Sequence, residues 1–542
     1  MMNRVKIEKA FIPLIISLSV VIIISAVVYF LSFQNTNGIF VYSLDDAYIH
    51  LAYAKNIFLH NIWGITSHGF TSTTSSPLWT LLITGIFFLT GINVYIPFIF
   101  NVLISLALVL VIFRILNDQK LPAFYTGAVL IFIIIFTPFS IHIFSGMEHL
   151  LHTLLAVMFI NIAAVEFAGR DRSFTFITPA KLSLTVLSFL MMMVRYESIF
   201  LIFIAVILFI LKKEIRLVIS MVLSGILGSS IFGIKSLLNG RSFFPDSVML
   251  KNNLYMTMTD LLGGEPVQKI MTFLDMNKKF IFLFLLTIIL LFIVIKKHKE
   301  FRNYISSSLI ILLSTAVLQK LFVSSTFFRY DSYLLISFIC FDAIAINYIL
   351  KGDPKIYRMI ATPRKSAFAI LTLSLLLLYF SYKTFYIDKT VTAVKNIYEQ
   401  QYQMAMFVNE FYTGSSVALN DIGAVNFYAD IYCTDLIGLG SPEIADARLN
   451  NNFNKEFTSY LSNKNNVRIA IIYDEWFDHD LIIPDEWKPA GKWKITDNFI
   501  CGSDEVTFYA TSLEAYGELT NDLRIYSPRL PPEVIQTGDY TK

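Results

Sequence analysis

Long apolar runs broken by short polar clusters organise the first 384 residues of the chain. Runs with the character of membrane crossings fall at about 11–33, 77–91, 96–116, 123–140, 147–168, 182–194, 198–211, 217–238, 279–295, 304–322, 332–350 and 366–384. A helix needs roughly 20 apolar residues to cross about 30 Å of hydrocarbon. The run at 77–91, PLWTLLITGIFFLTG, falls short of that and starts at a proline. The first run follows a basic start and precedes no small-residue cleavage site, so it reads as an uncleaved first helix.

Lys and Arg collect on the cytoplasmic side of membrane proteins. By that rule Arg4, Lys6 and Lys9 lie inside, as do GRDRS at 169–173, KKEIR at 212–216, KKHKEFR at 296–302 and KGDPKIYRMIATPRK at 351–365. The segments around Asp45 and Glu148, the loop 239–275, the stretch 327–332 and everything after about 385 are then outside. An even number of crossings must separate Asp45 from Glu148, yet three apolar runs lie between them. With 77–91 taken as an incomplete crossing, the pattern predicts about 11 transmembrane helices, N-terminus inside and C-terminus outside.

After residue 385 the pattern changes. Short β-type runs (416–420, 467–473 and 506–510) alternate with helical stretches, which predicts a small α/β domain. The expected organisation is a helical membrane domain over 1–384 and an extracytoplasmic α/β domain over 385–542, with no visible internal repeat.

Composition agrees. Of 542 residues 55% are hydrophobic and 15% charged, against about 25% charged in soluble domains. A net charge of +3 gives no reason to expect a nucleic-acid partner. Cys340 sits in an apolar run and reads as packing, whereas Cys433 and Cys501 lie in the polar tail and are candidates to pair. The chain holds no CxxC, no HExxH and no phosphate-binding glycine loop followed by lysine.

The stretch SLDDAYIHLAYAKNI at 43–57 puts two acids side by side at the predicted membrane boundary. Ser43 and Asp46 have capping-box spacing. Leu44, Ala47, Leu51, Ala54 and Phe58 then recur on one face, with His50, Tyr53 and Asn56 on the other, which predicts a helix lying along the membrane surface. The plain reading of Asp45 and Asp46 is a helix start favoured by the macrodipole. The functional reading notes that adjacent helical residues point about 100° apart, so one acid can face a substrate while the other braces the helix.

Further along, the chain carries GFTSTTSSPLW at 69–79, SGMEHLL at 145–151, VRYES at 194–198, FFPDSVMLKN at 243–252, FFRYDSYLLIS at 327–337 and DIGAVNFYADIYCTDLIGLGSPEIA at 421–445. In this order, together with DDAYIHLAYAKN, these stretches resemble the GT-C glycosyltransferases, and especially the branch of bacterial arabinofuranosyltransferases. Ala52, Tyr196 and Asp246 depart from the pattern of that branch.

The resemblance implies an inverting transferase that takes a polyprenyl-phosphate sugar as donor and a cell-envelope glycan as acceptor, in the cell membrane with its site on the extracytoplasmic side. It draws the catalytic acid from Asp45 and Asp46. The chemistry asks for a base ionised near neutral pH, which an ordinary Asp with a pKa of about 3.9 supplies. It also asks for positive charge aimed at the departing phosphate. Lys251, Arg329 and Arg195 are the candidate cations, and a divalent metal would fill part of that role. Glu148, Glu197, His50 and Tyr53 are candidate substrate contacts.

Each candidate has a plainer role: Glu148 a helix start, Arg195 and Glu197 a mutual pair, Lys251 a solvated lysine, Arg329 an arginine reaching to the interface. His149 and His152 share a helix face, but no third ligand accompanies them. The competing class is a transporter or flippase of a lipid-linked sugar. Acids and cations gathered on one side, without half-to-half symmetry, favour a transferase. A glycan-binding protein with a membrane anchor would not need so many spans.

Overall fold

The computed structural model describes residues 11–169, 179–254, 266–298, 303–323, 329–351, 386–477 and 482–542. The run expected at 366–384 lies outside these residues. Among them, seven helices are long and apolar enough to cross a membrane: Ile12–Asn35, Ile96–Asp118, His149–Ala168, Ile215–Leu238, Lys279–Lys297 within the Pro266–His298 helix, Tyr304–Phe322 and Ser332–Leu350. Four shorter apolar helices accompany them: Pro77–Thr90, Ala123–Phe136, Pro179–Val194 and Ser198–Leu211.

Proline stands in the first turn of several of these helices, where its missing N–H costs nothing. The predicted run 123–140 instead breaks at Pro138, and a separate helix, Phe139–Phe144, follows. Outward faces carry large apolar side chains such as Phe30, Leu223 and Phe292 at 60–69% exposure, a surface suited to lipid rather than water. Inward faces are mostly large apolar side chains, with glycine where two helices come closest. A methyl on Gly228 would come within 2.5 Å of the Phe189 carbonyl oxygen, so Ile215–Leu238 packs directly on the backbone of Pro179–Val194.

The helix Asp46–His60 departs from expectation. It is buried on both faces rather than lying on the membrane surface. Its polar face is covered from within the protein: His50 Nδ1 lies 2.9 Å from Thr80 Oγ1, and Asn56 donates to the Gly64 carbonyl at 3.0 Å. Ser43 does not cap it. Asp45 occupies the N-cap position, and its carboxylate bonds elsewhere.

The tail forms a six-stranded mixed sheet of β1 (Ser416–Leu419), β2 (Tyr432–Asp435), β3 (Val467–Ile472), β4 (Lys488–Lys494), β5 (Glu505–Ala510) and β6 (Ile535–Gly538), in the order β2-β1-β3-β5-β4-β6. β1 pairs in parallel with β2 and β3, and the remaining pairings are antiparallel. The short helix Gly423–Tyr428 connects β1 to β2 and rests on Asp46–His60. Cys433 and Cys501 do not pair. Cys433 sits on β2, Cys501 places its Sγ 3.3 Å from Gln401 Oε1, and all three cysteines are free thiols.

Candidate active site

The two adjacent acids have different partners. Asp45 is buried, and its oxygens accept from the Gly423 and Ala424 amides at 2.7 and 2.8 Å. Those amides open the Gly423–Tyr428 helix, whose N-terminal N–H groups lack internal partners. At the other end of the same short helix, the Lys55 ammonium donates to the Asn426 and Phe427 carbonyls at 3.0 and 2.7 Å. The Asp46–His60 helix therefore grips the tail helix at both ends, an acid on its amides and a cation on its carbonyls. Gly423 permits the approach: a methyl there would lie 2.1 Å from the Asp45 carbonyl oxygen. Burial pushes the Asp45 carboxyl up, and the nearby Asp421 charge adds to this, while the two amides pull it partly back.

Asp46 is about a third exposed and is ion-paired with the Arg329 guanidinium. Burial opposes the charge on Arg329, but the Asp46 carboxylate outweighs it and holds the guanidinium above its ordinary pKa. Among the described residues, the buried Arg329 Nε has no hydrogen-bond partner. An acid and a cation thus meet close to the contact between helical body and tail.

Beside this pair is a buried ion-pair network. The buried Glu148 accepts from Arg195 Nη1 at 2.6 Å, and its other oxygen lies 3.6 Å from His50 Nε2. Arg195 also grips Glu197 with two nitrogens, at 3.2 and 2.9 Å, beneath the Tyr330 ring. Burial alone would raise the Glu197 carboxyl, but Arg195 holds it down at about 2. Two carboxylates therefore engage Arg195, a candidate phosphate-binding cation in the sequence.

The remaining candidates have structural partners. The Tyr53 hydroxyl donates to the Thr71 carbonyl and accepts from the Thr73 amide at 3.4 Å, fixing the loop that leads into Pro77–Thr90. Thr73 in turn donates to the Leu439 carbonyl of the tail at 2.7 Å. His152 Nε2 lies 3.0 Å from Ser198 Oγ, and His149 Nδ1 faces Arg195 at 3.4 Å. Among the described residues no group of three His, Cys, Asp or Glu could hold a metal ion. Lys251 falls on the Asp246–Leu254 helix, and its side chain lies outside the described residues.

Sequence reasoning left the roles of Lys55, Gly423 and Asp421 unassigned. The DIGA stretch at 421–424 signalled the place, and only the fold brings it against Asp45.

Together these features define a polytopic helical membrane protein with a C-terminal α/β domain and an acid–cation pair where the two meet. A family model described as a domain of unknown function (DUF8728) matches residues 395–509. No curated protein matches the chain. Similar solved structures include the archaeal oligosaccharyltransferase AglB from Archaeoglobus fulgidus, in complex with an inhibitory peptide and a dolichol-phosphate. It is 12% identical with a TM-score of 0.45, over 92% of this chain and 74% of that one. They also include ArnT from Cupriavidus metallidurans bound to undecaprenyl phosphate, 11% identical with a TM-score of 0.49, over 91% of this chain and 98% of that one.

Proposed function

We propose that the protein is an inverting GT-C glycosyltransferase. In this reading it moves a sugar from a polyprenyl-phosphate donor to an acceptor glycan on the extracytoplasmic face of the cell membrane. Residues 1–384 form the catalytic body, and 385–542 form the domain that covers its outer face. The observation that carries the reading is the pairing of a solvent-accessible acid, Asp46, with a largely buried cation, Arg329, close to the contact between body and tail. The sequence resemblance of 43–57 and 327–337 supports it independently.

Asp46 is the general base. It takes the proton of the acceptor hydroxyl as that oxygen attacks the anomeric carbon. The bond from the anomeric carbon to the phosphate oxygen breaks, and its electron pair leaves on the lipid phosphate. A single displacement inverts the carbon. The leaving group departs as an anion and needs no acid. It needs compensating positive charge, which Arg329 supplies once the donor phosphate competes with Asp46 for the guanidinium. Asp45, engaged by two backbone amides, is the docking acid of the pair.

The test is transfer from a panel of undecaprenyl-phosphate pentoses and hexoses by the full chain in membranes. Transfer that is lost in Asp46→Asn, with expression retained, supports the reading. Full activity in that variant removes Asp46 as the base, and movement of the lipid sugar without transfer supports a flippase.

A further inference from the structure

The tail places a third carboxylate beside the two acids of the Asp46–His60 helix. Asp421 follows β1 after one intervening residue, Asn420, and stands two residues before Gly423, the first clamped amide. Its position in the sheet is informative. β1 lies between its two parallel partners, β2 and β3; the connection leaving β1 runs to β2 on one side, and the connection leaving β3 runs to β4 on the other. Open α/β sheets bind ligands at the carboxyl ends of strands at such a switch point. Tyr473, just past the carboxyl end of neighbouring β3, reaches the same spot.

Asp421 is held but not consumed. The Tyr473 hydroxyl lies 2.8 Å from its Oδ2 and Gln401 Nε2 donates to the same oxygen at 2.9 Å, whereas Oδ1 accepts no hydrogen bond among the described residues. Gln401 belongs to a π-helical turn, Tyr398–Tyr402, which interrupts the helices on either side. Such turns recur at functional sites because the extra residue re-aims side chains. The network continues through Gln400, whose Oε1 lies 2.7 Å from the Tyr473 hydroxyl. A buried polar network of this kind is costly unless satisfied, and here it fixes the direction of one carboxylate. Asp421 stands two residues before the Gly423 amide that Asp45 accepts, which brings it to the start of the helix that carries Asp46.

We infer that Asp421 is a sugar-binding residue, contributed by the tail, whose Oδ1 accepts from a hydroxyl of the donor's sugar while Arg329 holds the donor's phosphate. This rests on the reading under Proposed function. The ligand class follows from charge. A carboxylate repels phosphate but accepts strongly from a neutral polyol. The lipid phosphate therefore belongs at Arg329, at the membrane body, and the sugar belongs under the tail. The grip of Asp45 and Lys55 on the Gly423–Tyr428 helix sets that spacing.

The experiment compares binding of bare undecaprenyl phosphate with binding of undecaprenyl-phosphate pentoses and hexoses to the detergent-solubilised full chain, by ligand-induced thermal shift. In the wild type, at least one sugar-bearing lipid binds more tightly than the bare lipid. Asp421→Asn should weaken that lipid on the order of tenfold, the worth of one charge-assisted hydrogen bond, while bare lipid phosphate stays within about twofold. Arg329→Gln should weaken both. Limited proteolysis of the tail, unchanged in Asp421→Asn, shows that docking is intact. Equal weakening of both lipids by Asp421→Asn, no weakening of either, or a wild type to which no sugar adds affinity overturns the inference alone. A wild type that binds neither lipid overturns the proposed function with it.

Discussion

Asp46 and Arg329 form an ion pair across 283 residues of sequence, one at the first turn of a buried helix and the other just before the Ser332–Leu350 helix. Asp45, its immediate neighbour, instead holds the tail. The acids therefore divide the work. Asp46→Asn should lower transfer by about 10²–10⁴, the usual contribution of a general base, without loosening the tail. Asp45→Ala should leave two buried amides unpartnered, costing about 1–3 kcal/mol of docking. Parallel transfer assays and limited proteolysis separate the two; faster tail cleavage in the Asp46 variant would contradict the division.

Arg329 carries the positive charge beside Asp46. Arg329→Gln should raise the donor KM on the order of tenfold or more, since hydrogen bonds between charged groups are worth about 1.5–3 kcal/mol. Arg329→Lys should recover only part of this, because a point charge cannot reproduce a planar fork. Steady-state kinetics at varied donor concentration measures both, and an unchanged KM in the Gln variant would count against a phosphate at this position.

Gly423 is needed for closeness rather than for an unusual backbone angle. A methyl there would lie 2.1 Å from the Asp45 carbonyl oxygen and 2.6 Å from its Oδ2. Because backbone stands on one side of the contact, Gly423→Ala should displace the tail helix at a cost of about 1–3 kcal/mol. Earlier proteolytic release of the tail and a lower Tm would register it.

The Glu148–Arg195 pair is buried on both sides. Removing one partner strands the other, so Glu148→Ala should cost about 3–5 kcal/mol. Glu148→Gln keeps an acceptor for Arg195 and should cost less. Thermal unfolding in detergent ranks the two, and the reverse order would show that packing rather than charge dominates.

The tail has a pH response of defined sign. Burial pushes the Asp435 carboxyl up to about 6, against the pull of the Gly440 and Ile437 amides that it accepts at 2.6 and 2.8 Å. A carboxyl that binds its proton more tightly when folded contributes stability at low pH. That contribution is full below the unfolded pKa of about 3.9 and is lost as pH rises through about 6, a change of about 3 kcal/mol. The wild type should therefore lose more stability than Asp435→Asn between those values. Tryptophan fluorescence of Trp493, buried in β4, follows it.

Much of the architecture was legible beforehand. The runs at 96–116 and 217–238 became Ile96–Asp118 and Ile215–Leu238 because length and apolarity act locally. The β-type runs at 416–420, 467–473 and 506–510 became β1, β3 and β5. β4 went unseen because KPAGKWK has few residues of strand type. It forms where β5 pairs with it and Trp493 is buried. The helix after Asp45 was read as lying on the membrane surface because its polar face pointed to water, and nothing local shows that Thr80, Gly64 and the tail cover it.

The amino-acid order by itself determined the spanning runs, the mixed character of the tail and the set of charged residues available for chemistry. Transfer of apolar side chains into hydrocarbon is a local property and can be summed along the chain. Only the tertiary structure decided which of two neighbouring acids pairs with Arg329 and which holds the tail. Asp45 and Asp46 are chemically identical and differ in direction by about 100°. What each meets, the Gly423 amide 378 residues on or the Arg329 guanidinium, depends on contacts between elements that no local pattern encodes.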